Sequence, residues 1–160
     1  MEIISAQKSL RWHKRWLELA QLISTWSPDK STKVGAVIIN DQNEILSTGY
    51  NGLPSGFDYA EFNEENIYGR PQKYNYFEHA ERNAIYLAAK KGTPLLGGIL
   101  YLSWEPVVCA DCARAIIQSG IKTVVGNGEI FPGHGAGVDY NLSRSVIMFR
   151  ECGIQTLKIE

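Results

Sequence analysis

From residue 34 to the C-terminus, short apolar runs of strand character alternate with longer runs of helical character. That alternation narrows the possible folds more than any other feature. Residues 34–40 (VGAVIIN) and 44–50 (EILSTGY) read as strands separated by the turn-forming Asp41, Gln42 and Asn43. Residues 78–91 (EHAERNAIYLAAKK) read as a helix ending at Gly92 and 98–103 as a strand. Residues 112–119 read as a short helix stopped by Gly120, and 121–125 as the next strand. A last helix over 141–152 and a terminal strand over 154–159 complete the series. At the front, Trp12, Trp16, Leu19, Ile23 and Trp26 recur at spacings of three and four. They mark the apolar stripe of a helix over 5–26, closed by Ser27 and Pro28. The expected fold is therefore α/β, with helix–sheet–helix layers around a mixed five-stranded sheet. With 160 residues, 44% apolar and 21% charged, and no internal repeat, the chain reads as one domain over 1–160.

The same composition excludes several classes of function. No run approaches the roughly 18 consecutive apolar residues of a membrane helix. The opening MEIISAQKSLRW lacks the apolar core and small-residue site of a secretion signal, so a cytoplasmic location is expected. Net charge is −1. The densest basic run, Lys8, Arg11, Lys14 and Arg15, is balanced by acids concentrated over 58–81. Duplex or transfer RNA calls for a clear basic face, so this balance disfavours a polynucleotide and permits a mononucleotide.

Three cysteines, at 109, 112 and 152, argue against a disulfide framework. Cys152, in the apolar run SVIMFRECG, reads as a small buried hydrophobe. Cys109 and Cys112 form a C-x-x-C pair, which is either a redox dithiol or half of a metal site.

The rest of the chain favours metal. His79-Ala80-Glu81 and Cys109-Ala110-Asp111-Cys112 each fall where a helix begins. Residues two apart diverge along a regular helix, so His79 and Glu81 converge only at the first turn. Two helix starts aimed at one point make a pocket of positive potential, which favours thiolate and neutral imidazole. One imidazole and two thiolates suit Zn²⁺ in tetrahedral geometry. Three protein ligands, against the four of a closed structural site, leave a position for water. Two thiolates also balance the charge of the ion. Glu81, two residues from a ligand, is placed to take a proton from that water and to return it as general acid. His134, in the glycine-rich stretch 126–137, reads as a solvated loop residue, with a metal or substrate contact as the alternative.

H-A-E followed by a proline-linked C-x-x-C resembles the cytidine and deoxycytidylate deaminase superfamily, over about residues 31–153. Within it the resemblance is strongest to the deoxycytidylate deaminases. VGAVIIN at 34–40, GYNGLPSG at 49–56, EHAERNAI at 78–85 and CARAIIQSGIK at 112–122 carry it, and the second is the discriminating run. The resemblance implies hydrolysis of dCMP to dUMP with release of ammonia, and a nucleotide as the small-molecule partner. It also implies a homo-oligomer, hexamer or dimer, open to regulation by a deoxynucleotide triphosphate.

Gly49, Gly52 and Gly56 allow backbone shapes closed to other residues and close approach to an anion. Asn51 offers donor and acceptor groups to sugar or phosphate, and Ser55 and Lys33 are further candidate phosphate contacts. One departure stands out: Val107 and Val108 separate Pro106 from Cys109, where the family pattern runs from proline directly to cysteine. That loop is expected to border the base pocket, with Trp104 either stacked near the base or in the core. Two alternatives stay open. One is a deaminase of another cytosine nucleotide, modified base, nucleoside or RNA base. The other is a non-catalytic zinc- or nucleotide-binding regulator, against which Glu81 argues.

Overall fold

Residues 2–57, 67–127 and 141–160 are described in the computed structural model, with side chains from Leu10 onward. Residues 58–66 and 128–140, His134 among them, lie outside this description. The sheet has five strands: β1 (Gly35–Ile39), β2 (Ile45–Tyr50), β3 (Ile99–Leu102), β4 (Thr123–Gly126) and β5 (Gln155–Lys158). Their order is β2-β1-β3-β4-β5. β1 runs antiparallel to both neighbours, whereas β3, β4 and β5 are parallel, so the sheet is mixed as expected.

Alternation along the strands divides the interior into two cores. Ala36, Ile38, Leu100, Leu102 and Val124 face one side, packed with α3 (Ala80–Lys91), α4 (Ala110–Gln118) and α5 (Leu142–Glu151). Val37, Ile39, Tyr101 and Val125 face the other, where α1 (Glu2–Ser24) supplies Trp16, Leu17, Ala20 and Ile23. The helix–sheet–helix arrangement follows directly from this two-sided pattern.

Two glycines set how close the helices come. A Cβ on Gly49 would stand 2.5 Å from both the Ala80 carbonyl oxygen and the Ala84 nitrogen of α3. One on Gly35 would stand 2.0 Å from the Ala20 carbonyl oxygen of α1. Both positions serve close helix packing, which corrects the expectation that Gly49 is there for backbone freedom. Of the three glycines in the 49–56 run, Gly56 has the left-handed φ, at +85°.

Other expectations are also corrected. α1 ends at Ser24, so Trp26 falls beyond the helical stripe; it is 59% exposed and packs edge-on against Tyr50. Cys152 caps the C-terminus of α5 and is exposed, because the helix presents Phe149 to the core instead. Residues 51–76 include a short helix, α2 (Lys73–Tyr76), that the sequence pattern did not reveal.

Candidate active site

α3 and α4 begin side by side on the site face of the sheet, and their first residues are the ones the motifs single out. His79 is the N-cap of α3, with extended φ −75° and ψ 152°, and Glu81 sits in the first turn. Cys109 is the N-cap of α4, with φ −65° and ψ 161°, and Cys112 lies on the first turn. Its sulfur accepts a hydrogen bond from the Cys112 amide at 3.4 Å, the contact a serine or aspartate cap would make. Both helix starts lie two residues from the boundaries read from the sequence: α3 begins at Ala80, not 78, which puts His79 off the helix end, and α4 begins at Ala110, not 112, with Cys109 as its cap.

The three expected ligand atoms come together. His79 Nδ1 lies 3.5 Å from Cys109 Sγ and 3.4 Å from Cys112 Sγ. Tetrahedral zinc, with bonds of about 2.3 Å to sulfur and about 2.0–2.1 Å to nitrogen, holds such donors roughly 3.6 Å apart. The residues therefore fit a zinc ion, and among the described residues this is the one His/Cys/Asp/Glu group so arranged.

The electrostatics meet the expectation only in part: Cys109 is drawn toward thiolate, whereas Cys112 is pushed toward thiol and His79 toward imidazolium, against the expected neutral imidazole. A hydrogen bond shared with Cys112, aided by His79, draws the Cys109 thiol down to about 4 against the opposing effect of burial. The shared proton and burial push Cys112 upward. The pair thus holds one proton readily and gives it up when a metal takes both sulfurs. Burial would lower His79, but its bond to Cys109 and the charges of Glu81 and Cys109 raise it overall. Burial raises Glu81, which is 8% exposed. A carboxyl raised toward neutrality is suited to both accepting and returning a proton.

A charged bridge that the motifs did not announce joins the two helix starts. Glu78 Oε1 accepts from the His79 amide at 3.0 Å and from Arg82 Nε at 2.6 Å. The same Arg82 approaches Asp111 of α4, NH1 to Oδ2, at 3.5 Å. Its positive charge stabilises both thiolates. The spacing of Glu78 and Arg82, four apart on a helix, is a readable signal; the reach to Asp111 needs the fold.

The remaining candidates are placed differently. Asn51 is buried, and its amide is engaged by protein groups: Oδ1 accepts from Val34 N at 2.8 Å and Nδ2 donates to the Thr32 carbonyl at 2.8 Å. Lys33 Nζ donates to the Ser27 carbonyl at 2.8 Å. Ser55 is exposed on the 54–57 turn. Gly52 pairs with Glu78 through two backbone bonds, Gly52 N to Glu78 O at 3.1 Å and Glu78 N to Gly52 O at 2.8 Å. The glycine-rich run is thereby tied to the residue before His79. In the loop before Cys109, Glu105, Pro106 and Val108 are buried, and Trp104 packs against the site-face core. Of the two inserted valines, Val108 is thus an anchor for the loop and Val107 is half-buried.

Residues 10–127 match the model of the cytidine and deoxycytidylate deaminase zinc-binding region. The chain belongs to this family, and its cofactor is zinc. It is 42% identical over 115 residues to a deaminase from the luxG 3′ region of Aliivibrio fischeri, described as uncharacterized, covering 71% of each chain. It is 37% identical over 118 residues to the human deoxycytidylate deaminase, covering 72% of this chain and 64% of that one. The chain therefore spans less than two thirds of the human relative. A crystal structure of dCMP deaminase from cyanophage S-TIM5 in complex with dCMP and dUMP is similar at a TM-score of 0.69 and 28% identity, covering 91% of this chain and 94% of that one. Among the described residues, no helix is long and apolar enough to cross a membrane.

Proposed function

We propose that a single domain over residues 1–160 hydrolyses dCMP to dUMP and ammonia, with His79, Cys109 and Cys112 holding zinc and Glu81 as general acid and base. The observation that carries this is the convergence of His79 Nδ1 and two cysteine sulfurs at two helix starts, with the buried Glu81 carboxyl in the first turn of α3. The choice of dCMP is supported by the cyanophage neighbour's complex with that nucleotide and its product.

Zinc, when bound, acts as a Lewis acid that makes water nucleophilic near neutral pH. The protein does the rest. Glu81 takes the proton as the water oxygen bonds to the ring carbon bearing the amine, and hands it to the adjacent ring nitrogen. It then takes the remaining proton from the newly attached hydroxyl and delivers it to the amino group; as the hydroxyl becomes a carbonyl the C–N bond breaks and ammonia leaves. Arg82 offsets negative charge at the thiolates and holds α3 to α4. The 51–56 turn faces the sugar and phosphate, with Asn51 setting its shape and Ser55 and Lys33 as candidate contacts. A homo-oligomer, regulated by a deoxynucleotide triphosphate, belongs to the same reading; light scattering with and without the triphosphate checks it.

Ammonia release measured side by side on dCMP, CMP, deoxycytidine, cytosine and guanine tests the substrate. The highest kcat/KM is expected for dCMP. A higher value for any other member of the panel overturns the substrate assignment, and no release from any of them by zinc-loaded protein overturns the enzyme.

A further inference from the structure

Outside the metal centre, the most deeply buried charges among the described residues are Asp29 and Lys73, 3% and 4% exposed. Lys73 Nζ lies 2.8 Å from Asp29 Oδ2 and donates to Ser31 Oγ at 2.8 Å. The other carboxylate oxygen, Oδ1, accepts from Ser31 N at 2.8 Å, Ser31 Oγ at 2.9 Å and Thr32 N at 3.2 Å. Asn51 Nδ2 approaches Asp29 Oδ2 at 3.4 Å.

Three stretches of chain meet at this pair. Ser27 Oγ donates to the Asn51 carbonyl at 2.7 Å, fastening residues 27–34 to the start of the glycine-rich run. Lys73 is itself fixed by backbone bonds, its N to Gly69 O and Phe77 N to its own carbonyl, both 2.8 Å. The 69–78 stretch continues into Glu78, which pairs with Gly52 next to Asn51. His79 follows. Thus the ion pair, the Asn51 amide and the Gly52–Glu78 bridge form one continuous frame under the turn at 51–56 and the start of α3.

Stability alone does not account for a buried pair here. Two apolar side chains of similar volume commonly serve as well or better, because removing two charges from water costs about as much as their attraction returns. What apolar side chains lack is direction: the carboxylate collects donors from three segments at fixed angles.

We propose that Asp29 and Lys73 are positioning residues for the active site, holding Asn51 and the 51–56 turn in the register that receives the sugar-phosphate end of the substrate. This rests on the reading of the site given above. Neither residue touches the metal ligands, so their effect falls on substrate binding rather than on zinc.

The test compares Asp29→Leu/Lys73→Met with the wild-type protein. The double variant is expected to fold, to keep one zinc per chain and to retain kcat within about threefold, while KM for dCMP rises about tenfold or more. Asp29→Asn, which keeps the side-chain shape and the acceptor for Ser31 and Thr32, is expected to raise KM less, and it carries the test should the double variant not fold. An unchanged KM in a folded, zinc-loaded variant overturns the proposal, as does a loss of zinc equal to the loss of turnover. Should the wild-type protein deaminate a different member of the panel, the substrate reading fails, and the KM ratio on that compound decides the positioning role.

Discussion

The two faces of the sheet solve different problems with the same strands. On the α1 side, Trp16, Leu17, Ile23, Val37, Ile39 and Tyr101 make a core of large aromatic and branched side chains, in which Trp16 tilts against Tyr101 with ring centroids 6.4 Å apart. On the site side, Ala36, Ala80, Ala84, Ala88 and Ala113 are all buried, and small residues let the helices come close. One face gains its adhesion from area. The other combines large side chains, among them Leu100, Leu102, Ile116, Ile121 and Phe149, with a run of alanines where two helix ends must come close. The period-two alternation of the strands thus lets the two faces differ in how far close approach is added to bulk burial.

Substitutions that strike one face and spare the other can break this comparison. The largest effect is expected from Glu81→Ala: turnover falls by about 10²–10⁴, while zinc content by atomic absorption is unchanged. Wild-type turnover in this variant removes Glu81 from the chemistry. Next, Trp16→Ala on the α1 face is expected to cost about 3–5 kcal/mol of folding stability, read by urea unfolding, with kcat of the folded fraction preserved. A matching loss of kcat would mean the faces are coupled.

A sharper pair is Gly49→Ala and Gly35→Ala. Each added methyl meets helix backbone, so each is expected to cost about 1–3 kcal/mol or more. Gly49→Ala displaces α3 and weakens zinc binding, measured by competition with a chelator; Gly35→Ala shifts α1 and leaves zinc affinity near wild type. Equal zinc loss in both would sink the division of labour.

The smallest effects are in the pH dependence of stability. Burial holds His13 of α1, bonded to Tyr101 OH at 2.8 Å, below its ordinary value. A base lowered on folding stabilises while neutral, and that contribution fades as pH falls below the unfolded value of about 6.5. Asp29 behaves oppositely: burial raises it, but the bonds from Lys73, Ser31 and Thr32 together hold it below the ordinary carboxylate range. Its contribution is complete above the unfolded value of about 3.9 and is lost as pH falls further through the folded one. His13→Gln should therefore flatten the stability curve just below pH 6.5, and Asp29→Asn should change its slope only in the more acidic range. Thermal melts across pH check both.

The clustering of His79, Cys109 and Cys112 was legible in the sequence because the signal is local: each motif falls at the start of a helix. The five strands were legible for the same reason, since Val, Ile and Leu runs bounded by turn residues carry their own pattern. Trp26 misled because periodicity shows which face a residue would take but not where the helix stops, two residues earlier. Cys152 misled because an apolar neighbourhood in sequence is not one in space when the helix end turns outward. Asn51 was read as a sugar or phosphate contact, yet its amide is engaged by Thr32 and Val34, which become its neighbours only once β1 and β2 pair. Asp29 and Lys73 carry no sequence signal, since two opposite charges 44 positions apart look like any solvated pair.

The strand order also bears on the sequence of folding events. Ile39 pairs with Ile99 and Ala36 with Leu102, so the centre of the sheet closes a long stretch of chain, and His79 lies within that stretch while both cysteines lie beyond it. Loop closure of this kind is entropically costly and slow compared with local helix formation. The clustering of His79 with Cys109 and Cys112 therefore depends on residues that come together only across a long closure, and the finished sheet is what keeps them at one point.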